Sequence, residues 1–303
     1  MATEHVSNAG YRRKHSSNLT LPIVSKSLLT RFLPKETQFL EIATKNENPF
    51  ILHPHFQDRP ETMPSHLPEI DLAAANEELA SLSAPERIGW AHKAFGDSVI
   101  LSSSFGLQSA IMLHLANTAI PGIPVIFVDT GYLFPETHAY SRDLEKLLGL
   151  NVKLYTSPIT PSRQEALEGE LWKQGKEGLE RYGLVRKVEP MSRALKEHNA
   201  TCWLTGLRRQ QSSTRKDLPF IELQNQTYKV YPIIDWDDAK VMTHMLLHDL
   251  PSHPLIREGY VTLGDTHSTA KVEKGMSAED TRYGGLKYEC GLHEPGRGDN
   301  YAI

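Results

Sequence analysis

Between residues 83 and 155 the apolar positions fall into short β-rich runs that alternate with longer stretches of helical spacing. The first helix is written at both ends. Ser83-Ala84-Pro85-Glu86 supplies an N-cap serine, an early proline and an acid at N3; Ile88, Trp90, Ala91 and Phe95 mark the apolar face, and Gly96 ends it. The pattern then predicts a strand over 98–101 and a helix over 107–117, a strand over 125–128 and a helix over 135–148, and a strand over 152–155. Further strands are predicted over 202–205, ending at Gly206, and over 228–234, after which Asp237 caps a helix through Leu247. Such alternation predicts an open, mainly parallel twisted α/β sheet with helices on both faces and ligands at the carboxyl ends of its strands.

Residues 1–68 read differently. They show no sustained periodicity and are interrupted by Pro22, Pro34, Pro49, Pro54, Pro60, Pro64 and Pro68, which predicts an irregular, disordered N-terminal arm. Arg12-Arg13-Lys14 could belong to a targeting peptide, but Glu4, Glu36, Glu41 and Glu47 share the arm and no apolar stretch leads to a cleavage-like site. His53 and His55 form a two-residue pair without further ligands, so no metal site is assigned. Met63 is a candidate alternative start. The predicted division is an arm over 1–68, a nucleotide-binding α/β domain over 69–280 and a catalytic tail over 281–303.

Composition narrows the classes. The 303 residues are 39% hydrophobic and 23% charged, as in an ordinary globular protein, and no run reaches the roughly 18 apolar residues of a membrane span. The net charge of -4 supplies no global basic field for nucleic acid. Cys202 and Cys290 are the only cysteines, too few for a disulfide framework or an all-cysteine metal or iron–sulfur site within one chain.

Three strand ends carry candidate chemistry. Ser102-Ser103-Ser104-Phe105-Gly106 is a hydroxyl-rich turn between a strand and a helix, suited to cradle an anion or, on the plainer reading, only to cap the helix. It lacks the Gly-Lys-Ser/Thr of a Walker A loop. It resembles the SGGxDS loop of the ATP pyrophosphatases, with Phe105 and Gln108 departing from that pattern. Asp129 follows four apolar residues, where an acid can accept hydrogen bonds from a ribose or adenine, or simply shape the turn. Arg208, Arg209, Arg215 and Lys216 follow a strand closely and suit phosphate or sulfate oxygens, a solvated basic loop being the alternative.

Near the C-terminus, Cys290 sits in a glycine-rich polar segment, unlike Cys202 in its apolar run. This setting marks Cys290 as a reactive thiol, against the alternative of an idle one. Its thiolate would need support from Arg282, Lys287, His293 or other cations against the neighbouring Glu289.

Taken together, Ser102 to Gly106, Asp129 to Glu136, Lys187-Val188-Glu189-Pro190, Gly206 to Arg209, Gly264-Asp265-Thr266-His267 and Glu289-Cys290-Gly291-Leu292-His293-Glu294 resemble the thioredoxin-dependent phosphoadenylyl-sulfate (PAPS) reductases of sulfate assimilation, over about residues 69 to 294. The resemblance implies an adenine nucleotide alpha hydrolase-like fold and a two-step reaction. Cys290 attacks the sulfur of PAPS, releasing adenosine 3′,5′-bisphosphate, and thioredoxin then frees sulfite from the Cys290 thiosulfonate. It assigns the substrate's charge to Lys187, Arg208, Arg209, Arg282 and His293, and the nucleotide to Ser102, Ser103, Ser104, Gly106 and Asp129. Gly284, Gly285 and Gly291 would let the tail close and reopen.

The related adenylyl-sulfate (APS) reductases bind a four-iron cluster through a Cys-Cys pair and a Cys-x-x-Cys. The corresponding positions here are Tyr182-Gly183 and Asp265-Thr266-His267-Ser268. The resemblance therefore implies neither an iron–sulfur cluster nor a flavin. Leu107-Gln108 replaces acidic residues of that family's loop, which favours a substrate with a 3′-phosphate. No internal resolving thiol is at hand, so the expected reductant is an external dithiol protein, thioredoxin or glutaredoxin. A cytoplasmic enzyme is expected, and the family is commonly dimeric. The competing readings are an APS reductase, an ATP pyrophosphatase-type adenylyl transferase, and a nucleotide-binding scaffold whose Cys290 is inert.

Overall fold

A computed structural model describes residues 67–283, all within one compact unit; residues 1–66 of the predicted arm, and Gly284, Gly285, Cys290, Gly291 and His293 of the predicted tail, lie outside them. Helix α1 (Leu72–Ser81) is capped by Asp71, whose carboxylate accepts from the backbone N–H of Ala73 and Ala74. The Ser83 box opens α2 (Ala84–Phe95) as the sequence dictates: Glu86 reaches back to the Ser83 N–H at 2.7 Å, and Gly96 closes the helix with φ +58°.

The alternating pattern then gives β1 (Val99–Ser102), α3 (Ala110–Ala119), β2 (Pro124–Asp129), α4 (Pro135–Leu148) and β3 (Asn151–Thr156). Helix α3 starts three residues later than expected, because Gly106 to Ser109 form a turn in which the Ser109 N–H and hydroxyl both donate to the Gly106 carbonyl. After β3 the chain forms α5 (Pro161–Glu168), α6 (Gly175–Gly183), a π-helical turn over Leu184–Val188 and α7 (Glu189–Glu197). There follow β4 (Cys202–Thr205), β5 (Ile221–Gln224), β6 (Thr227–Val230) and α8 (Asp238–Leu247), capped by Asp237 as expected. The strand predicted over 228–234 ends at Val230. Pro232 has no N–H to donate, and the following N–H groups of Ile234 and Trp236 close local turns instead.

The sheet order is β3-β2-β1-β4-β6-β5, parallel except for the β5–β6 hairpin. Chain direction therefore reverses its progress at β1 and β4, the crevice where open α/β sheets receive ligands. Alternation along the strands fills both faces. Val99, Leu101, Val125, Phe127, Cys202 and Leu204 join the larger core with α2, α3, α4 and α8, while Ile100, Ile126 and Trp203 pack with Met191 and Ala194 of α7.

One buried guanidinium ties the edges of this frame together. Arg87 donates to the Leu79 carbonyl at 2.8 Å, to the Pro232 carbonyl at 2.9 Å and to both oxygens of Asp235, and it lies 4.2 Å over the Phe220 ring. Truncating it strands Asp235 and two carbonyls together. Arg87→Met is therefore expected to cost about 3 kcal/mol of unfolding free energy, read as a lower urea midpoint at unchanged slope; an unchanged midpoint would contradict this role.

Candidate active site

The serine turn is held by its own hydroxyls. Ser102 accepts from the Trp203 indole N–H at 2.6 Å, and Ser103 accepts from the Phe105 N–H at 3.1 Å, leaving Ser104 exposed. Phe105 adopts a left-handed φ of +49° where the pyrophosphatase-like loop has glycine. That conformation costs a side chain about 1–2 kcal/mol. Burial of the ring against Phe127, with centroids 4.7 Å apart, offsets it. Gly106 follows directly and ends the turn. Asp129, at the end of β2, accepts from the Gly131 N–H at 2.7 Å, so one of its oxygens shapes the turn. Gly131 itself has φ +80°, and a Cβ there would fall 2.5 Å from Pro161.

Arg208 leaves β4 and is buried between two helix starts. It donates to Gln108 Oε1 at 2.8 Å, to Asp238 at 2.9 Å and to the Trp236 carbonyl at 3.2 Å. It thereby fixes Gln108, the residue that distinguishes this loop. Arg209 turns elsewhere. Its guanidinium donates to the Leu218 carbonyl and lies 5.0 Å over Phe220, so the two adjacent arginines do not converge.

The densest charge lies past the end of β2. Lys187, carried by the π-helical turn, meets Asp265 at 2.7 Å with both side chains buried, and Asp265 also accepts from the Thr130 hydroxyl. Burial alone would raise the Asp265 pKa, but Lys187 and Thr130 outweigh it and hold it down at about 2. Lys187 also reaches the Tyr283 hydroxyl at 3.5 Å. Arg282 is buried against the backbone of Gly264, where a Cβ would fall 2.3 Å from its Nη2 and force the guanidinium to shift. Its Nε has no hydrogen-bond partner among the described residues.

Aromatic rings wall this cluster. His267 stacks on Trp172 at 3.9 Å with planes 9° apart, and Tyr132 and Tyr182 pack edge-on around them. Burial lowers the His267 pKa to about 4, so its imidazole is neutral near pH 7. Tyr182, Asp265 and Ser268, three of the positions matched to cluster cysteines in the APS reductases, lie at this cluster. Burial pushes the Cys202 thiol upward and leaves it enclosed in β4, as its apolar run predicts.

The structure therefore brings Lys187 and Arg282 to one cluster and joins Arg208 to the serine turn through Gln108; Asp129 and Gly106 each lie on a strand-end turn. Trp172 carries no local sequence signal, because its stacking partner His267 is distant along the chain. The ion pair makes a sharp thermodynamic statement. Asp265→Asn leaves Lys187 buried without its counter-charge and is expected to cost about 3–5 kcal/mol, most of it recovered by Lys187→Met with Asp265→Leu. The depressed Asp265 pKa means that the parent gains stability above about pH 4 and loses it as pH falls toward 2. Urea midpoints across that range should show this acid limb in the parent and not in Asp265→Asn; parallel limbs would contradict the pairing.

Comparison with known proteins agrees with this geometry. The phosphoadenosine phosphosulfate reductase domain family matches residues 98–271. Phosphoadenosine 5′-phosphosulfate reductases of Salmonella typhi and Salmonella schwarzengrund are each 50% identical over 234 residues, covering 76% of this chain and 96% of the relative. The crystal structure of a phosphoadenylyl-sulfate (PAPS) reductase from Candida auris, in complex with phosphate, superposes with a TM-score of 0.58 at 28% identity, over 66% of this chain and 96% of that one. The sheet order, the strand-end loops and these matches together make the chain a member of the phosphoadenosine phosphosulfate reductase family.

Proposed function

We propose that the protein reduces PAPS to sulfite and adenosine 3′,5′-bisphosphate in sulfate assimilation, through a thiosulfonate on Cys290 that thioredoxin or glutaredoxin resolves. The observation that carries the reading is the buried cluster past the end of β2 in which Lys187, paired with Asp265, and Arg282 gather around His267 and Tyr283. Cys290 lies seven positions beyond Tyr283 in the sequence. Seven residues span at most about 25 Å, a reach that includes that cluster.

The bonds and electrons balance as follows. The Cys290 thiolate attacks the sulfo sulfur, the bond from sulfur to the phosphate oxygen breaks, and the nucleotide leaves with that oxygen's electron pair. A thiolate of the external protein then attacks the Cys290 sulfur and expels sulfite. Its second thiol closes the donor's disulfide and returns Cys290 as the thiolate, so one dithiol supplies the two electrons that take sulfur from sulfate to sulfite oxidation state. Lys187, Arg282 and His293 offset the repulsion between two anions, and Ser102 to Gly106 with Asp129 hold the nucleotide. Arg209 contributes at one remove, because Leu218 and Phe220 occupy its guanidinium. No iron–sulfur cluster or flavin is required by this route. The cytoplasm, where thiols stay reduced, is the compartment that suits it.

Sulfite release measured in parallel from PAPS and APS, with thioredoxin supplied, tests the reading. Turnover of PAPS well above APS, abolished by Cys290→Ser, is expected, and turnover surviving that substitution would overturn it. Gln108, fixed by Arg208, tunes the choice. Gln108→Asp places a like charge in the loop and is expected to raise KM for PAPS about tenfold while leaving APS binding within about twofold; equal effects on both would contradict a role in sensing the extra phosphate.

A further inference from the structure

Helices α3 and α8 pack against each other, and their contact contains three histidines that the reductase chemistry does not use. His114 of α3 places Nδ1 3.2 Å from Nε2 of His244 on α8. His248, one turn further along and just past the end of α8, brings its ring to 4.5 Å from His114 and 4.4 Å from His244, centroid to centroid. One ring nitrogen from each residue lies within 4.8 Å of the others.

A hydrogen bond from one imidazole to the other accounts for the first pair but not for the convergence of the third ring. Metal coordination accounts for all three. Zinc-to-imidazole bonds of about 2.0–2.1 Å in a tetrahedron set ligand nitrogens about 3.3 Å apart, close to the separation of the first pair. His248 is exposed and needs only a side-chain rotation to complete the face. The i, i+4 spacing of His244 and His248 presents both rings on one side of the helix.

We propose that His114, His244 and His248 bind one divalent transition-metal cation of the zinc class, with the remaining position open to water. Three imidazoles without a carboxylate or thiolate select this class over magnesium or calcium. The site is structural in position. Its two helices are already joined at their N-terminal ends, where Arg208 links Gln108, just before α3, to Asp238 of α8. A bound ion would clamp the same helices further along and stiffen the serine turn that α3 follows.

Zinc chloride titrated calorimetrically into the chelator-treated full-length protein tests the assignment, with His248→Ala and His114→Ala as comparisons. The exposed position of His248 makes its variant safe for the fold, and histidines and thiols elsewhere are common to all three proteins. The parent is expected to bind one more equivalent than either variant, or to bind it at least about tenfold more tightly, and to gain a zinc-dependent rise in thermal midpoint that His248→Ala lacks. Identical isotherms and midpoint shifts in parent and variants, or no zinc uptake by the parent, would overturn it.

Discussion

Lys187 and Asp265 face each other inside the protein at 2.7 Å, and the arrangement of the site follows from that contact. Moving two charges out of water is costly, and a bare buried pair is a weak source of stability. Here Asp265 also takes the Thr130 hydroxyl from the end of β2, and Thr266 donates its N–H to the Tyr132 carbonyl. Three distant stretches of chain therefore meet at one point: the end of a central strand, the π-helical turn between α6 and α7, and the segment leading to the tail. Arg282 against Gly264 and Tyr283 beside Lys187 extend the same packing to the last described residues. The cations so gathered are held in place by the protein's own contacts.

The sheet supplies the opposite side of that arrangement. Reversal of strand order between β1 and β4 opens the crevice, and the serine turn and Arg208 leave adjacent strands there. Arg208 spends its donors on Gln108, Asp238 and the Trp236 carbonyl. Its effect is thus to lock the two helix starts and orient Gln108.

Local chemistry decided how much of this could be read in advance. The capping box at Ser83 and the Pro135 start of α4 appear where the sequence puts them, because a few adjacent residues satisfy the terminal backbone groups. The helices α5 to α7 and strand β5 are not among the predicted elements: α5 has almost no apolar face, and α6 and α7 have clear ones but run for only nine residues each and are joined by a π-helical turn. At the site, the strand-end loops were legible as turns carrying serine, aspartate and arginine. Pairing was not. Nothing near Lys187 announces Asp265, nothing near Trp172 announces His267, and Arg209 reads like Arg208 until the fold sends it to Leu218. The same reason hid the histidine triad, in which His114 of α3 meets His244 and His248 from α8 and its C-terminal end.

The central claim is that the thiol of Cys290 receives the sulfo group from the bound nucleotide. Its most direct measurement is the mass of the full-length protein after mixing with PAPS in the absence of any reductant, followed by peptide mapping. The account predicts a single sulfonate adduct located on Cys290 and discharged as sulfite when thioredoxin is added. An unmodified Cys290, or an adduct on another residue that yields sulfite at the same rate, would contradict it.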